Sequence, residues 1–66
     1  MKVNISESIK NWRQENNVTQ KEFAHRLGVT AQTISKWERE ECYPDITMLP
    51  SIAEVLNCTV NDFFDE

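Results

Sequence analysis

The chain has 66 residues, enough for one domain and close to the lower limit for folding without staples. Hydrophobic residues make up 39% and charged residues 27%, a balance that excludes a disordered chain, and no apolar run is long enough to cross a membrane. The net charge of −4, taken alone, argues against nucleic acid, but the charge is unevenly placed. Residues 1 to 37 carry six Lys/Arg against three Glu, whereas residues 38 to 66 carry one Arg against eight acids. Charges farther apart than about 8 Å are largely screened at physiological salt. An acidic end is therefore compatible with a basic contact face elsewhere.

The opening "MKVNISESIK" lacks the apolar core of a signal peptide, so the chain reads as cytoplasmic. The first helix is expected from about Ile5 to Asn16, with Ile5, Ile9 and Trp12 on one face. Asn4 and Glu7 have the spacing of a capping box, and "ENNVT" breaks the helix. A second helix is expected from about Gln20 to Leu27, with Thr19 and Glu22 as a capping box and Phe23, Ala24 and Leu27 as its buried stripe. Gly28 follows where a helix end wants positive φ.

The third helix should run from about Ala31 to Glu38 or Arg39, capped by Thr30, with Ile34 and Trp37 inward. The fourth should run from about Met48 to Leu56, capped by Thr47 or Asp45, with Pro50 tolerated in its first turn. Leu49, Ile52, Ala53 and Leu56 form its apolar stripe. A short fifth helix is expected from about Asn61 to Phe64, capped by Thr59 with Asp62. The expected fold is an all-α bundle of five short helices, held mainly by packing because helices this short are marginal alone.

Cys42 and Cys58 form no C-x-x-C pair, and His25 is the one histidine, so a zinc site lacks ligands. Both cysteines read as reduced thiols, Cys58 as a small buried hydrophobe. No Ser/His/Asp or Cys/His set, Gly-rich phosphate loop or metal cluster is present, which excludes an enzyme and any cofactor.

The informative stretch is "TQKEFAHRLGVTAQTISKWE", residues 19 to 38. Two short helices are joined by Gly28, Val29 and Thr30. Ala24 is small where the helices cross, and Val29 can plug the corner. That is the physical recipe of a helix-turn-helix. Together with "IKNWR" before it and "YPDITMLPSIAEVLNCTVNDFF" after it, the stretch resembles the Cro/phage-repressor-like (Xre-type) helix-turn-helix regulators over Ile5 to Phe64.

The resemblance implies a lambda-repressor-like fold in which the third helix enters the major groove of double-stranded DNA. Gln20, at the start of the second helix, would meet a phosphate, where free N–H groups and the helix dipole suit an anion. Ala31, Gln32, Thr33 and Lys36 match the family's reading positions. Gln32 can pair with adenine, Lys36 can donate to guanine, and Ala31 and the Thr33 methyl can pack on a thymine methyl. Thr30 can contact a phosphate as well as cap. Arg13 matches a family arginine that pairs with the glutamate at Glu38, a structural role.

The chain departs from the family at Glu40 and Glu41, where Gly and then a basic or polar residue are common. The expectation is a longer or differently ended third helix, or a loop held back from DNA, with Arg39 the main basic residue left there. His25 and Arg26 read as solvated, and Trp12 as core filler. Tyr43 could pack on the body or reach a phosphate. Val60 and Phe64 are candidates for a homodimer interface, since such domains usually bind palindromes as two-fold dimers. The function implied is a sequence-specific transcriptional regulator, expected to be a repressor. The alternative is a protein-interaction or antitoxin module that keeps the fold with weak or no DNA binding and takes a protein partner.

Overall fold

The computed structural model describes residues 2–65, without the side chains of Lys2 and Asp65. Four α-helices follow one another: α1 (Ile5–Glu15), α2 (Gln20–Leu27), α3 (Ala31–Glu38) and α4 (Leu49–Leu56). Short 3-10 turns occupy Ile46–Met48 and Val60–Phe63. The apolar spacing seen in the sequence becomes the core directly. Ile5 and Ile9 of α1, Phe23 and Ala24 of α2, Ile34 and Trp37 of α3, and Ile52 and Ala53 of α4 are buried, with Phe63 beside them. Trp12, half-buried, tilts against Phe23 with ring centroids 5.8 Å apart.

The helix starts divide into two groups. Thr19 caps α2 through the reciprocal box, its Oγ1 accepting from the Glu22 N–H and its own N–H donating to Glu22 Oε1, both at 3.1 Å. Thr30 caps α3 by accepting the Thr33 N–H at 3.2 Å. At α1 the expected box does not form, because the Asn4 N–H that Glu7 would have accepted donates instead to Phe63 O at 2.8 Å. At α4 neither expected cap serves the helix. Asp45 precedes the 3-10 turn without a side-chain cap bond, Thr47 lies inside that turn, and Met48 holds the cap position.

All four helices end in the same way. A residue in left-handed conformation follows each one: Asn17, Gly28, Glu40 and Asn57, with φ of 54°, 74°, 60° and 57°. The next N–H then reaches back five residues. Val18 donates to Arg13 O, Val29 to Ala24 O, Glu41 to Lys36 O and Cys58 to Ala53 O, at 2.9–3.0 Å. This is the Schellman closure, which satisfies carbonyls the helix leaves open.

The expectation of a longer or differently ended α3 is therefore corrected. The helix stops at Glu38, and Glu40 takes the conformation a glycine would take. A Cβ in that region clashes with the following carbonyl. The residue after the left-handed position is apolar or a thiol, and partly buried, at Val18, Val29 and Cys58, but it is the exposed Glu41 at α3. Glu40→Gly is expected to raise the unfolding free energy by about 1 kcal/mol, the strain relieved less the extra freedom of the unfolded chain. Urea denaturation checks this, and an unchanged midpoint would mean that Glu40 carries no strain.

The fifth helix is also corrected. Val60–Phe63 forms a 3-10 turn, with the Asp62 carboxylate accepting the Thr59 N–H at 3.0 Å. Phe64 is extended, with φ −123° and ψ 126°. It belongs to β2 (Phe64–Asp65), which pairs antiparallel with β1 (Lys2–Val3) in the register Lys2↔Asp65 and Val3↔Phe64. This two-residue ladder, absent from the sequence reading, joins the two ends of the described chain beside an otherwise all-α bundle.

Candidate nucleic-acid interface

α2, the turn and α3 form the helix-turn-helix. Gly28 turns the chain with its φ of 74°, and Val29 packs against the core at the corner. Burial of Ile34 and Trp37 fixes which side of α3 faces the body. Gln32 and Lys36, one helical turn apart, are left exposed on another side. Ala31 and Thr33 are half-buried next to them. The Thr30 and Thr33 hydroxyls lie 2.9 Å apart and hydrogen-bond to each other. The Thr33 hydroxyl is thus turned back to the cap, and its methyl is the part left for an apolar contact.

Behind this face, three helices meet at one carboxylate. Arg13 of α1 donates from Nε to Glu38 Oε2 at 2.6 Å and from Nη2 to Oε1 at 2.8 Å, a two-bond fork. Its Nη1 also donates to Val18 O at 3.0 Å, which ties the pair to the α1–α2 turn. Gln20 of α2 donates its amide Nε2 to Glu38 Oε1 at 3.2 Å. One N–H of the expected phosphate donor therefore points inward, a contact that sequence reasoning missed. Burial pushes the Glu38 carboxyl up, but the hydrogen bonds from Arg13 and Gln20, with the charges of Arg13 and Lys10, outweigh it and hold the group below the ordinary carboxylate value. The hydrogen bond to Glu38 raises the Arg13 guanidinium above its own ordinary value.

The exposed Glu22 is also held down, by the bonds from the Thr19 backbone and hydroxyl. Both carboxylates have folded pKa values below their unfolded ones. Their contribution is complete above the unfolded value of about 4.3 and is lost as pH falls through the folded values. Stability is thus expected to fall progressively below about pH 4.3, which an acid titration followed by tryptophan fluorescence measures. A flat profile down to pH 3 would count against the Glu38 cluster as a source of stability.

Arg39 is exposed, and Glu41 holds it at 3.0 Å from its Nε, which also donates to Ser35 O at 3.3 Å. An exposed pair of this kind is worth at most about 1 kcal/mol and yields readily to a phosphate. Arg26 is exposed as expected, but its guanidinium lies 5.9 Å from the Trp12 ring centroid, a cation–π contact the sequence did not signal. Tyr43 is 54% exposed and lines an open apolar groove with Val3, Pro44, Ile46 and Phe64. Val60 and Phe64 are half-buried against the core. Cys42 and Cys58 are free thiols, and burial together with the Asp62 charge pushes Cys58 up.

Residues 9–63 match the family described as helix-turn-helix. The chain belongs to the Xre-type helix-turn-helix family. An HTH-type transcriptional regulator of Archaeoglobus fulgidus is 38% identical over 56 residues, 85% of this chain and 79% of the relative. The HTH-type transcriptional activator BcrR of Enterococcus faecalis is 30% identical over 60 residues, 91% of this chain but only 29% of BcrR. Among solved structures, the P22 c2 repressor in complex with a synthetic operator superposes with a TM-score of 0.85 at 25% identity, covering 98% of this chain and 97% of the chain in that structure. Membership of this family makes the protein a helix-turn-helix transcriptional regulator rather than an enzyme. Among the described residues, no helix is long and apolar enough to cross a membrane.

Proposed function

We propose that this regulator binds double-stranded DNA sequence-specifically as a homodimer in the cytoplasm, reads a palindromic operator with α3 in the major groove, and represses transcription. The observation that carries the reading is the exposure of Gln32 and Lys36 on one side of α3 while Ile34 and Trp37 bury another. Gln32 is suited to adenine and Lys36 to guanine, and Ala31 with the Thr33 methyl is suited to thymine. Gln20, Thr30 and Arg39 serve as phosphate contacts that set the register.

Exposed Glu40 and Glu41 follow α3 where the family commonly has Gly and a basic or polar residue, so the loop supplies few phosphate contacts, which lowers non-specific affinity and flattens the salt dependence. Specificity then leans on base contacts and on pairing of two subunits. Val60 and Phe64 contribute to that pairing, with Phe64 opening onto the apolar groove of Val3, Tyr43 and Ile46. The repressor role rests on the likeness to the P22 c2 repressor.

Selection of random duplex DNA by the purified protein at moderate salt, followed by sequencing, tests the reading. The expected result is a palindrome with half-sites about one or two helical turns apart. A folded protein that enriches no sequence would support a protein-interaction role in its place. A reporter carrying the selected site then tests the sign of regulation, and stimulated transcription would overturn repression.

A further inference from the structure

The Glu38 carboxylate has a side chain only 7% exposed and sits where α1, α2 and α3 meet. A carboxylate only accepts hydrogen bonds, so Gln20 must turn its amide nitrogen, not its oxygen, toward Glu38. The fork from Arg13 occupies both Glu38 oxygens and stops the carboxylate from rotating. The Gln20 amide nitrogen is thereby held against the carboxylate. One of its N–H groups points to Glu38 at 3.2 Å, and the second has no acceptor among the described residues.

The surroundings of that second N–H are specific. At the start of α2, the Glu22 N–H is taken by Thr19 Oγ1 and the Phe23 N–H by Thr19 O. The N–H groups of Gln20 and Lys21 are the first-turn donors without a helical partner. They and the second Gln20 amide N–H belong to the same turn.

We infer that Glu38 is a positioning residue for DNA binding, which holds the Gln20 amide with one N–H turned inward and the other presented to a backbone phosphate at the start of α2. The inference rests on the DNA-binding reading above and deepens it. Glutamine has three side-chain torsions, and a glutamine free in solvent would lose that freedom on binding. Here the freedom is lost on folding, so the contact is preorganised. Arg13 takes part at one remove by holding Glu38. The ion pair that looks purely structural thus reaches the DNA-facing surface through one further hydrogen bond.

A double-mutant cycle on the selected operator separates positioning from general support. Replacing the ion pair as a whole, Arg13→Met with Glu38→Met, removes the hold on Gln20 and leaves no buried charge behind, a change that folded proteins often tolerate. Gln20→Ala is expected to weaken binding about fivefold in the wild-type protein, and to have almost no effect in the double-methionine background, where affinity is already reduced. Equal losses in both backgrounds would make Glu38 structural only and overturn the inference. So would unchanged affinity of the double-methionine protein.

A methylphosphonate scan of the operator gives a second readout. The neutralised phosphate that weakens the wild type should weaken Gln20→Ala much less, and an identical profile overturns the contact. Should the double-methionine protein fail to fold, nitrogen-15 NMR of the wild type still decides. One Gln20 amide proton is expected to exchange slowly and the other fast, and two fast protons would overturn the inference. A wild type that binds no duplex defeats both the positioning role and the DNA reading, whereas a binding wild type with additive losses defeats the positioning role alone.

Discussion

Replacing Arg13 with methionine alone is expected to lower the unfolding free energy by about 3–5 kcal/mol, a large share of what a chain of 66 residues can hold. The loss comes less from the missing attraction than from the charge left behind. Glu38 is only 7% exposed, and without the fork it keeps one hydrogen bond, from Gln20. Burial, the largest influence on the group, would then be opposed only by the Gln20 hydrogen bond and the Lys10 charge, and is expected to lift the folded pKa above the unfolded value. The pH response then changes sign. In the wild type the Glu38 contribution is present at neutral pH and lost on acidification. In Arg13→Met, stability is lost as pH rises instead, because the buried group must ionise. The two proteins should therefore differ most near pH 7 and least near pH 4. Urea melts at both pH values, read by Trp12 and Trp37 fluorescence, provide the check. A gap that is constant with pH would mean that Arg13 acts through packing.

The second large effect concerns Lys36. Lys36→Ala is expected to weaken operator binding by about 1–3 kcal/mol, roughly fivefold to 150-fold, and to relax the preference at one position of the site. Stability should barely change, because Lys36 is exposed and alanine suits a helix. Fluorescence anisotropy with the selected operator, and repeat selection with the variant, measure the two parts. If Lys36→Ala bound the same operator with the same affinity and preference, the assignment of the reading face would fail. A uniform loss across all sequences would instead make Lys36 a phosphate contact.

Much of the fold could be read in the sequence because local rules and burial agree there. Thr19 with Glu22, Thr30, and Gly28 each signal a helix end by chemistry that acts within a few residues, and each does so in the structure. The apolar stripes of α1 to α4 behave the same way. The misreadings arise where a distant segment competes. Asn4 and Glu7 have the right spacing, but Phe63 takes the Asn4 N–H first. Phe64 looks helical beside Asn61 and Asp62, yet it pairs with Val3 from the other end of the chain. A two-residue strand has no periodicity to detect.

Glu40 was legible as an anomaly, but its outcome was not. Sequence suggests that a glutamate there avoids positive φ, whereas the closure of α3 onto Lys36 O imposes it. The candidate site was legible at Gln32 and Lys36 because their exposure follows from the burial of Ile34 and Trp37. The link from Glu38 to Gln20 was hidden, since it joins residues 18 positions apart on different helices.

The small ladder has a consequence for the order in which the molecule assembles. Helices nucleate from neighbours in sequence, within about a microsecond, whereas β1 and β2 must close a loop of nearly the whole chain for two residue pairs. The ladder should therefore form after the bundle and part before it. Amide exchange would show this as two tiers. The Asn4 amide, bonded to Phe63 O, would exchange through a local opening of the ends, and the amides of Ile34 and Ile52 only when the whole domain unfolds.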